Sequence, residues 1–489
     1  MTSPDGTGEG RGDSTWRACA GGGRTHYGGA VTSSLLTDLY ELTMLRAARE
    51  AGTAERACVF EVFTRSLPEG RRYGVLAGTD RVLRAIADFR FDEADLRYLR
   101  RTGMLDEDTL AFLADYRFTG DVHGYAEGEL FFEGSPVLRI EGTFADAVML
   151  ETVVLSILNH DSGVASAGSR MITAARGRPC IEMGGRRVHE DAAIAAARAA
   201  YLVGFASTSN LAAGAHYRIP VAGTSAHAFT LLFDTEEQAF RAQIASQGAG
   251  TTVLVDTYDV EQAVRTAVDI AGPELGAVRL DSGDLGAQAQ EVRALLDSLG
   301  ATSTRITATS DLDEHRLDEL ADAPIDGYGI GTRLVTGGGH PAPGFVFKLV
   351  EREGADGAMH PVGKRSADKQ TLGAGKSAYR LLVGDRARAE LVLPGEAEVA
   401  EFDRELTAQL LASQAPAEWA RTRLRPLQVP LLQDGHRVWD LSPVEALEHG
   451  RERHASSLAE LCLRPEDGPD GPIAIPTLTD GAQAARALG

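Results

Sequence analysis

Five short stretches of the chain hold residue types that can do chemistry together: GGRR at 184–187, STSN at 207–210, GTSAH at 223–227, RLDSGDL at 279–285 and GIGTRL at 329–334. In the first, two glycines let the backbone approach an anion, and Arg186 and Arg187 can grip a phosphate with paired donors. The alternative is a helix-leading loop with solvated arginines. Thr208, Ser209 and Asn210 offer hydroxyl and amide groups, although an asparagine there can equally cap the next helix. In GTSAH, Thr224 adds a hydroxyl. His227 presents an imidazole able to act as a base or as a nucleophile toward phosphorus, or else it is a satisfied histidine in a capping loop. Arg279 and Asp281 alternate by two and share a strand face. Asp281 and Asp284 are spaced to engage ribose hydroxyls or a divalent cation, and Ser282 begins a tight turn that tolerates an anion. Gly331 and Thr332 suit a terminal phosphate. The stretch is neither a dinucleotide fingerprint nor a GxxxxGKS phosphate loop. Together these residue types point to a phosphorylated ribose derivative.

Each stretch ends a short apolar run, so repeated strand–helix units must position it. The apolar runs lie at 180–183, 202–205, 219–222, 253–255, 276–280, 306–308 and 327–330. Helical stretches such as DAAIAAARAAY, VEQAVRTAVDIAG and LGAQAQEVRALLDSLG separate most of them. Seven strands in a row favour an irregular barrel over an open sheet, with chemistry at the carboxyl ends of the strands. Residues 31–150 read as a mixed α+β domain, opening on the helical LLTDLYELTMLRAARE and completed by chain from 351–430. Residues 151–350 read as the catalytic α/β barrel, entered through a long helical region in two parts. Residues 351–489 read as a C-terminal extension of strands and helices, with helix expected over 406–427 and loop over 466–481. Residues 1–30, rich in Gly, Ser and Thr, read as a disordered tail. Asn159 and His160 read as members of a packed polar network.

Composition narrows the partners. The 489 residues carry a net charge of -21, which argues against a nucleic-acid surface and lets a local pair such as Arg186–Arg187 stand out. Four widely spaced cysteines and no CxxC pair fit a reducing compartment and neither a disulfide framework nor a zinc site. With no secretory h-region and no apolar run of membrane-spanning length, the expectation is a cytoplasmic protein without a membrane partner.

The ordered set LLTDLYELTM, EMGGRR, TSN, GTSAH, RLDSGD and KRSADKQTLGAGK, spread over about residues 35–460, resembles the nicotinate phosphoribosyltransferases of the type II phosphoribosyltransferase family. The resemblance implies an irregular TIM-like α/β barrel, a mixed N-terminal domain and a C-terminal extension. It also implies a homodimer with shared active sites. The implied reaction joins nicotinate to PRPP, giving nicotinate mononucleotide and diphosphate in NAD salvage. ATP serves as co-substrate and is hydrolysed through a phosphohistidine, which places such enzymes formally among the ligases. Mg2+ accompanies the phosphates, with Asp281 and Asp284 as its candidate protein ligands. By the same resemblance His227 is the phosphorylated residue, and Arg279 and Asp281 act with it. Arg186 and Arg187 lie near PRPP and the acid group of the base. Thr208, Ser209, Asn210, Thr224 and Ser282 line the pocket, and Gly331 and Thr332 form the 5'-phosphate turn. Tyr40, which alone reads as a packing residue, matches an aromatic that reaches the base across the dimer interface. The orienting partner of His227 is Glu182, Asp256 or Asp281. The chain departs from the family at Met183, at Ala206–Ser207 and at Ala228, where phenylalanine, Asp-Gly and a longer hydroxyl-bearing residue are common. The rival readings are a nicotinamide or quinolinate phosphoribosyltransferase and an inactive nucleotide-binding barrel.

Overall fold

A computed structural model describes residues 33–364, 373–394, 422–462 and 475–479. The tail expected at 1–30 lies outside these residues, as do most of the KRSADKQTLGAGK motif at 364–376 and most of the helix expected over 406–427. Among the described residues no helix is long and apolar enough to cross a membrane.

Two main cores share one helix. Glu151–Ala174 is a single 24-residue helix, not two parts, preceded only by the short turns Phe144–Ala147 and Val148–Leu150. Val153, Val154 and Leu158 at its start lie in the first core, and Val164, Met171 and Ala174 at its end lie in the second. Its run of small residues lets neighbours come close. A Cβ on Gly163 would stand 2.6 Å from the Pro341 carbonyl oxygen, and one on Gly168 would stand 2.9 Å from Val203 Cγ2. Asn159 joins the helix to the chain beyond the barrel, its Oδ1 accepting from Phe345 N at 2.9 Å.

The first core backs a seven-stranded antiparallel sheet, in the order Met359–Pro361, Phe345–Glu353, Ala57–Thr64, Leu138–Thr143, Asp121–Tyr125, Gln428–Gln433, His436–Arg437. Its strands therefore come from both ends of the described chain. The opening helix Leu39–Glu50 packs here through Leu42 and Leu45.

The second core backs a parallel sheet of six strands: Ser207–Thr208, Cys180–Glu182, Gly327–Ile330, Arg305–Ala308, Ala277–Leu280, Thr252–Leu254. This is the irregular α/β barrel as an open curl, since no described pairing closes Ser207–Thr208 onto Thr252–Leu254. Two expected strands differ. The run at 202–205 is the end of the Glu190–Leu202 helix and its exit turn, with Gly204 at φ 118°, and pairing begins only at Ser207. The run at 219–222 shrinks to one bridge, Thr208 to Val221, because Pro220 has no N–H to extend a ladder.

A third, four-stranded sheet joins Thr422–Pro426, Lys376–Val383, Arg386–Pro394 and Thr477–Leu478. Residues 422–426 are thus strand where helix was expected, and Thr477–Leu478 is strand where loop was expected. The expected late helix is present as Pro443–Ala459, opened by a Ser442–Glu445 capping box with proline at its first turn.

Candidate active site

Arg279 is the hub of the strand ends. It leaves Ala277–Leu280 with its side chain mostly buried, and every arm is engaged. Nε donates to Thr309 Oγ1 at 2.9 Å, and Nη1 donates to Thr224 Oγ1 at 2.8 Å and to the Ser225 carbonyl at 3.1 Å. Nη2 donates to Asp281 Oδ1 at 3.0 Å. One side chain therefore ties together GTSAH, RLDSGDL and the end of the Arg305–Ala308 strand. Thr309 also donates to Asp281 through a short contact. Burial pushes the Asp281 carboxyl up, but the hydrogen bonds from Thr309 and Arg279 and the Arg279 charge outweigh it, leaving it below its ordinary value. Ser310, just after Thr309, stands at φ 130°, a local cost of the kind that clusters at functional sites.

His227 opens the His227–Leu231 helix with 41% of its side chain exposed. Its Nδ1 lies 3.2 Å from Thr257 Oγ1, and its Nε2 lies 3.9 Å from Asp256 Oδ1 and 3.8 Å from Asp281 Oδ2. The ring is thus steered by a hydroxyl on one side and faces two carboxylates on the other. Asp256 is itself held, its Oδ2 accepting from Asp281 N at 3.0 Å and from Ser282 Oγ at 2.7 Å. Its Oδ1 is buried without a hydrogen-bond partner. Glu182 is not the orienting acceptor. It is fully buried, accepting from Thr208 Oγ1 at 2.5 Å and from Gly184 N, and burial raises its carboxyl above the ordinary range despite these bonds.

The other expected residues divide. Arg186 and Arg187 are exposed in the turn Gly185–Arg187. The glycine before them serves packing: a Cβ on Gly184 would stand 2.2 Å from Val335 Cγ1 and 3.0 Å from the Gly331 carbonyl oxygen. The arginine turn and the Gly331–Thr332 turn are therefore neighbours. Asn210 takes its bland role as well, capping Leu211–Tyr217 by accepting from Ala213 N at 2.9 Å. Ser209 is exposed beside it. Asp284 caps Leu285–Ser298, its Oδ1 accepting from the Gly286 and Ala287 N–H groups, both at 3.2 Å, so the first turn of a helix occupies the carboxylate proposed for a cation. Tyr40 is not brought to this cluster. It is 44% exposed on the Leu39–Glu50 helix, and burial together with the charges of Glu151 and Glu41 pushes its phenol up to about 12.

Sequence reasoning missed Thr257 and Thr309 and used Asp256 only as an acceptor. All three sit just past parallel strands, at the ends of 253–255 and 306–308, so the strand-end rule applied to every run finds them.

The N-terminal part, residues 35–159, matches the family described as nicotinate phosphoribosyltransferase (NAPRTase) N-terminal domain. Over 458 residues the chain is 49% identical to nicotinate phosphoribosyltransferase pncB1 of Mycobacterium tuberculosis, covering 91% of this chain and 95% of that protein. The chain belongs to the nicotinate phosphoribosyltransferase family. Membership makes it an enzyme of NAD salvage that forms nicotinate mononucleotide from nicotinate and PRPP. The human nicotinate phosphoribosyltransferase is 31% identical over 503 residues, covering 88% of this chain and 92% of that one. In structure, human nicotinic acid phosphoribosyltransferase superposes with a TM-score of 0.73 at 27% identity, covering 92% of this chain and 99% of that one. A nicotinate-nucleotide pyrophosphorylase from Pyrococcus furiosus shares the fold, with a TM-score of 0.69 at 24% identity over 88% of this chain and 96% of that one.

Proposed function

We propose that the cluster around Arg279 and His227 performs phosphoribosyl transfer to nicotinate and couples it to ATP hydrolysis through His227. The observation that carries this reading is the half-exposed imidazole held between Thr257 and the Asp256–Asp281 pair, next to an arginine that ties three strand ends together. In transfer, the pyridine nitrogen bonds to C1 of the ribose as the C1–oxygen bond to diphosphate breaks. In coupling, an imidazole nitrogen bonds to the γ-phosphorus of ATP, ADP leaves, and water later cleaves the N–P bond.

Two carboxylates facing Nε2 repel a triphosphate, so a cation belongs with the nucleotide. Among the described residues no group of three His, Cys, Asp or Glu side chains could hold a metal ion. The orphaned Asp256 Oδ1, with Asp281 Oδ2 beside it, nevertheless fits a Mg2+ ligated mainly by substrate phosphates. When bound, the ion supplies charge neutralisation at the phosphates.

Arg279 has its donors committed within the site, so recognition of the nicotinate carboxylate falls to the exposed Arg186 or Arg187. The Gly331–Thr332 turn beside them suits the 5'-phosphate. Tyr40 serves the partner's site in a homodimer. Exposed Leu36, Leu39 and Met44 surround it, and exposed Val221, Leu231, Leu232 and Tyr258 rim the strand ends, giving two apolar patches that a reciprocal interface covers.

The direct test incubates purified protein with labelled nicotinate and PRPP, with and without ATP, against nicotinamide and quinolinate as competitors. Labelled nicotinate mononucleotide, stimulated by ATP, is the expected product. Faster turnover of nicotinamide or quinolinate sinks the substrate reading. For the interface, mixed Tyr40→Ala and His227→Ala chains, each without ATP-stimulated synthesis, should regain it through heterodimers with one intact site.

A further inference from the structure

The loop that follows the Ala57–Thr64 strand leaves the first sheet and takes hold of the chain just beyond the Gly331–Thr332 turn. At one end Thr64 Oγ1 donates to the Pro343 carbonyl at 2.8 Å, sharing its proton with the Ser66 carbonyl at 2.7 Å. At the other end Arg71 Nη2 donates to the Gly337 carbonyl in a short contact, and that oxygen also accepts from His340 N at 3.2 Å. Residues 337–343 are thereby held between this loop and the Glu151–Ala174 helix, which meets Pro341 at Gly163.

Gly337 is joined directly to the turn read above as the 5'-phosphate site. The Thr332–Val335 helix starts in that turn, and Thr336 Oγ1 donates back to the Thr332 carbonyl at 2.8 Å. The helix then runs into Gly337, Gly338 and Gly339, at φ 68°, 64° and 85°. Three successive left-handed glycines carry no side chain that could fix their own conformation. Arg71 supplies one from elsewhere in the chain: a Cβ on Gly338 would stand 3.0 Å from its Nη2, so the guanidinium lies on the turn. The placement is unfavourable in itself. Arg71 is 8% exposed, and burial and the Arg170 charge pull its guanidinium down to about 10. An apolar side chain would fill the space without that penalty, so what the guanidinium adds is its donor to Gly337. We propose that Arg71 is a positioning residue for phosphoribosyl transfer, fixing the Gly331–Thr332 turn, through the Thr332–Val335 helix, where the 5'-phosphate of PRPP binds. The inference rests on the reading of that turn as the phosphate site.

Arg71→Met keeps the stem and removes the donors. Steady-state kinetics of the full chain should show KM for PRPP raised about tenfold, with kcat and KM for nicotinate changed less than about twofold. Inhibition by ribose 5-phosphate should weaken by the same factor as PRPP binding, and inhibition by inorganic diphosphate should not. A merely structural role would lower the active fraction, and with it kcat, and leave both KM values alone. Gly338→Ala, whose Cβ meets Arg71 Nη2 at a positive φ, should reproduce the PRPP defect, and it decides if Arg71→Met does not fold. Unchanged ribose 5-phosphate inhibition in a folded Arg71→Met or Gly338→Ala chain, or equal rises in both KM values, overturns the proposal. Thr332→Asp tests the underlying reading separately. A carboxylate set in the turn should abolish ribose 5-phosphate inhibition with Arg71 intact. If that inhibition persists, the phosphate site lies elsewhere and the proposal falls with it. If it is lost while Arg71→Met has no effect, only the positioning role fails.

Discussion

The strand-end site and the joint between the first and third sheets are built from the same residue types, yet they differ in closure. At the joint, Glu129 is 1% exposed and accepts from Arg425 at 2.8 and 3.1 Å and from Ser457, with Arg380 at 3.7 Å. Arg380, fully buried, also donates to Glu390 at 3.1 Å and to the Leu130 carbonyl at 2.9 Å, and it lies over the Phe132 ring at 5.0 Å. At the strand ends the arginine is equally committed, but the imidazole is 41% exposed and the Asp281 side chain 29% exposed. A sealed network of charges, shut away from water, holds elements together. One still open to solvent leaves a place for a substrate or its cation.

The contrast can be broken at either region. The largest effect is expected at His227: His227→Ala should lose acid-labile, base-stable label from γ-labelled ATP, along with ATPase activity and ATP stimulation, while slow ATP-independent synthesis continues. Equal labelling of both chains would show that another residue is phosphorylated. Next, Arg279→Ala should lower kcat/KM by about 10²–10³-fold, with kcat falling too, because one substitution releases three strand ends. Thermal unfolding of this variant should move less than that of Glu129→Ala; an equal loss would make Arg279 a member of the sealed class. At the joint the pattern inverts. Glu129→Ala should lose about 3–5 kcal/mol in urea unfolding, by stranding Arg380 and Arg425, and leave KM for both substrates unchanged.

A smaller effect concerns acid. Burial pushes the Glu129 carboxyl up, but Arg425, Arg380 and Ser457 overcome this and hold it at about 2, against an ordinary 4.5. A lowered carboxylate adds stability above its unfolded value and loses it as pH falls through the folded one. Wild type should therefore lose about 3 kcal/mol between pH 4.5 and 2, a slope that Glu129→Gln lacks. Glu390 runs the other way, since burial outweighs Arg380 and raises it, so its share fades as pH rises. The smallest effect is at the exposed arginines: Arg187→Ala should raise KM for nicotinate about tenfold, near 1.4 kcal/mol, and narrow the preference over nicotinamide.

The site was legible where an apolar run stops at a polar cluster, because the end of a parallel strand leaves that mark in one continuous stretch. Arg279, Asp281 and His227 were found this way, and the same rule applied to 253–255 and 306–308 yields Thr257 and Thr309. Strand count was less legible. The run at 219–222 is apolar enough to pair, and only Pro220 says that it cannot extend. Asn210 and Asp284 carry the residue types of ligands and of helix caps alike, and the N–H groups that choose between these roles belong to backbone geometry. The joint was illegible, since Glu129 and Arg425 are 296 positions apart and no local pattern pairs them. Tyr40 shows the limit differently: its role rests on the resemblance, because one chain does not carry it to the strand ends.

The seven-stranded sheet sets a schedule for making the protein. Ala57–Thr64 pairs on one side with Leu138–Thr143, close in the chain, but on the other with Phe345–Glu353. Asp121–Tyr125 likewise needs Gln428–Gln433. On a ribosome adding about 5–20 residues per second, the first strand emerges roughly 15–60 s before its second neighbour exists. Through that interval the nascent chain exposes an apolar sheet edge, the kind of template on which other chains pair. The parallel sheet, contained within residues 180–330, can form in the meantime. Yield during expression should therefore depend on how fast translation runs between residues 143 and 345, the span that encodes the parallel sheet and its strand-end residues.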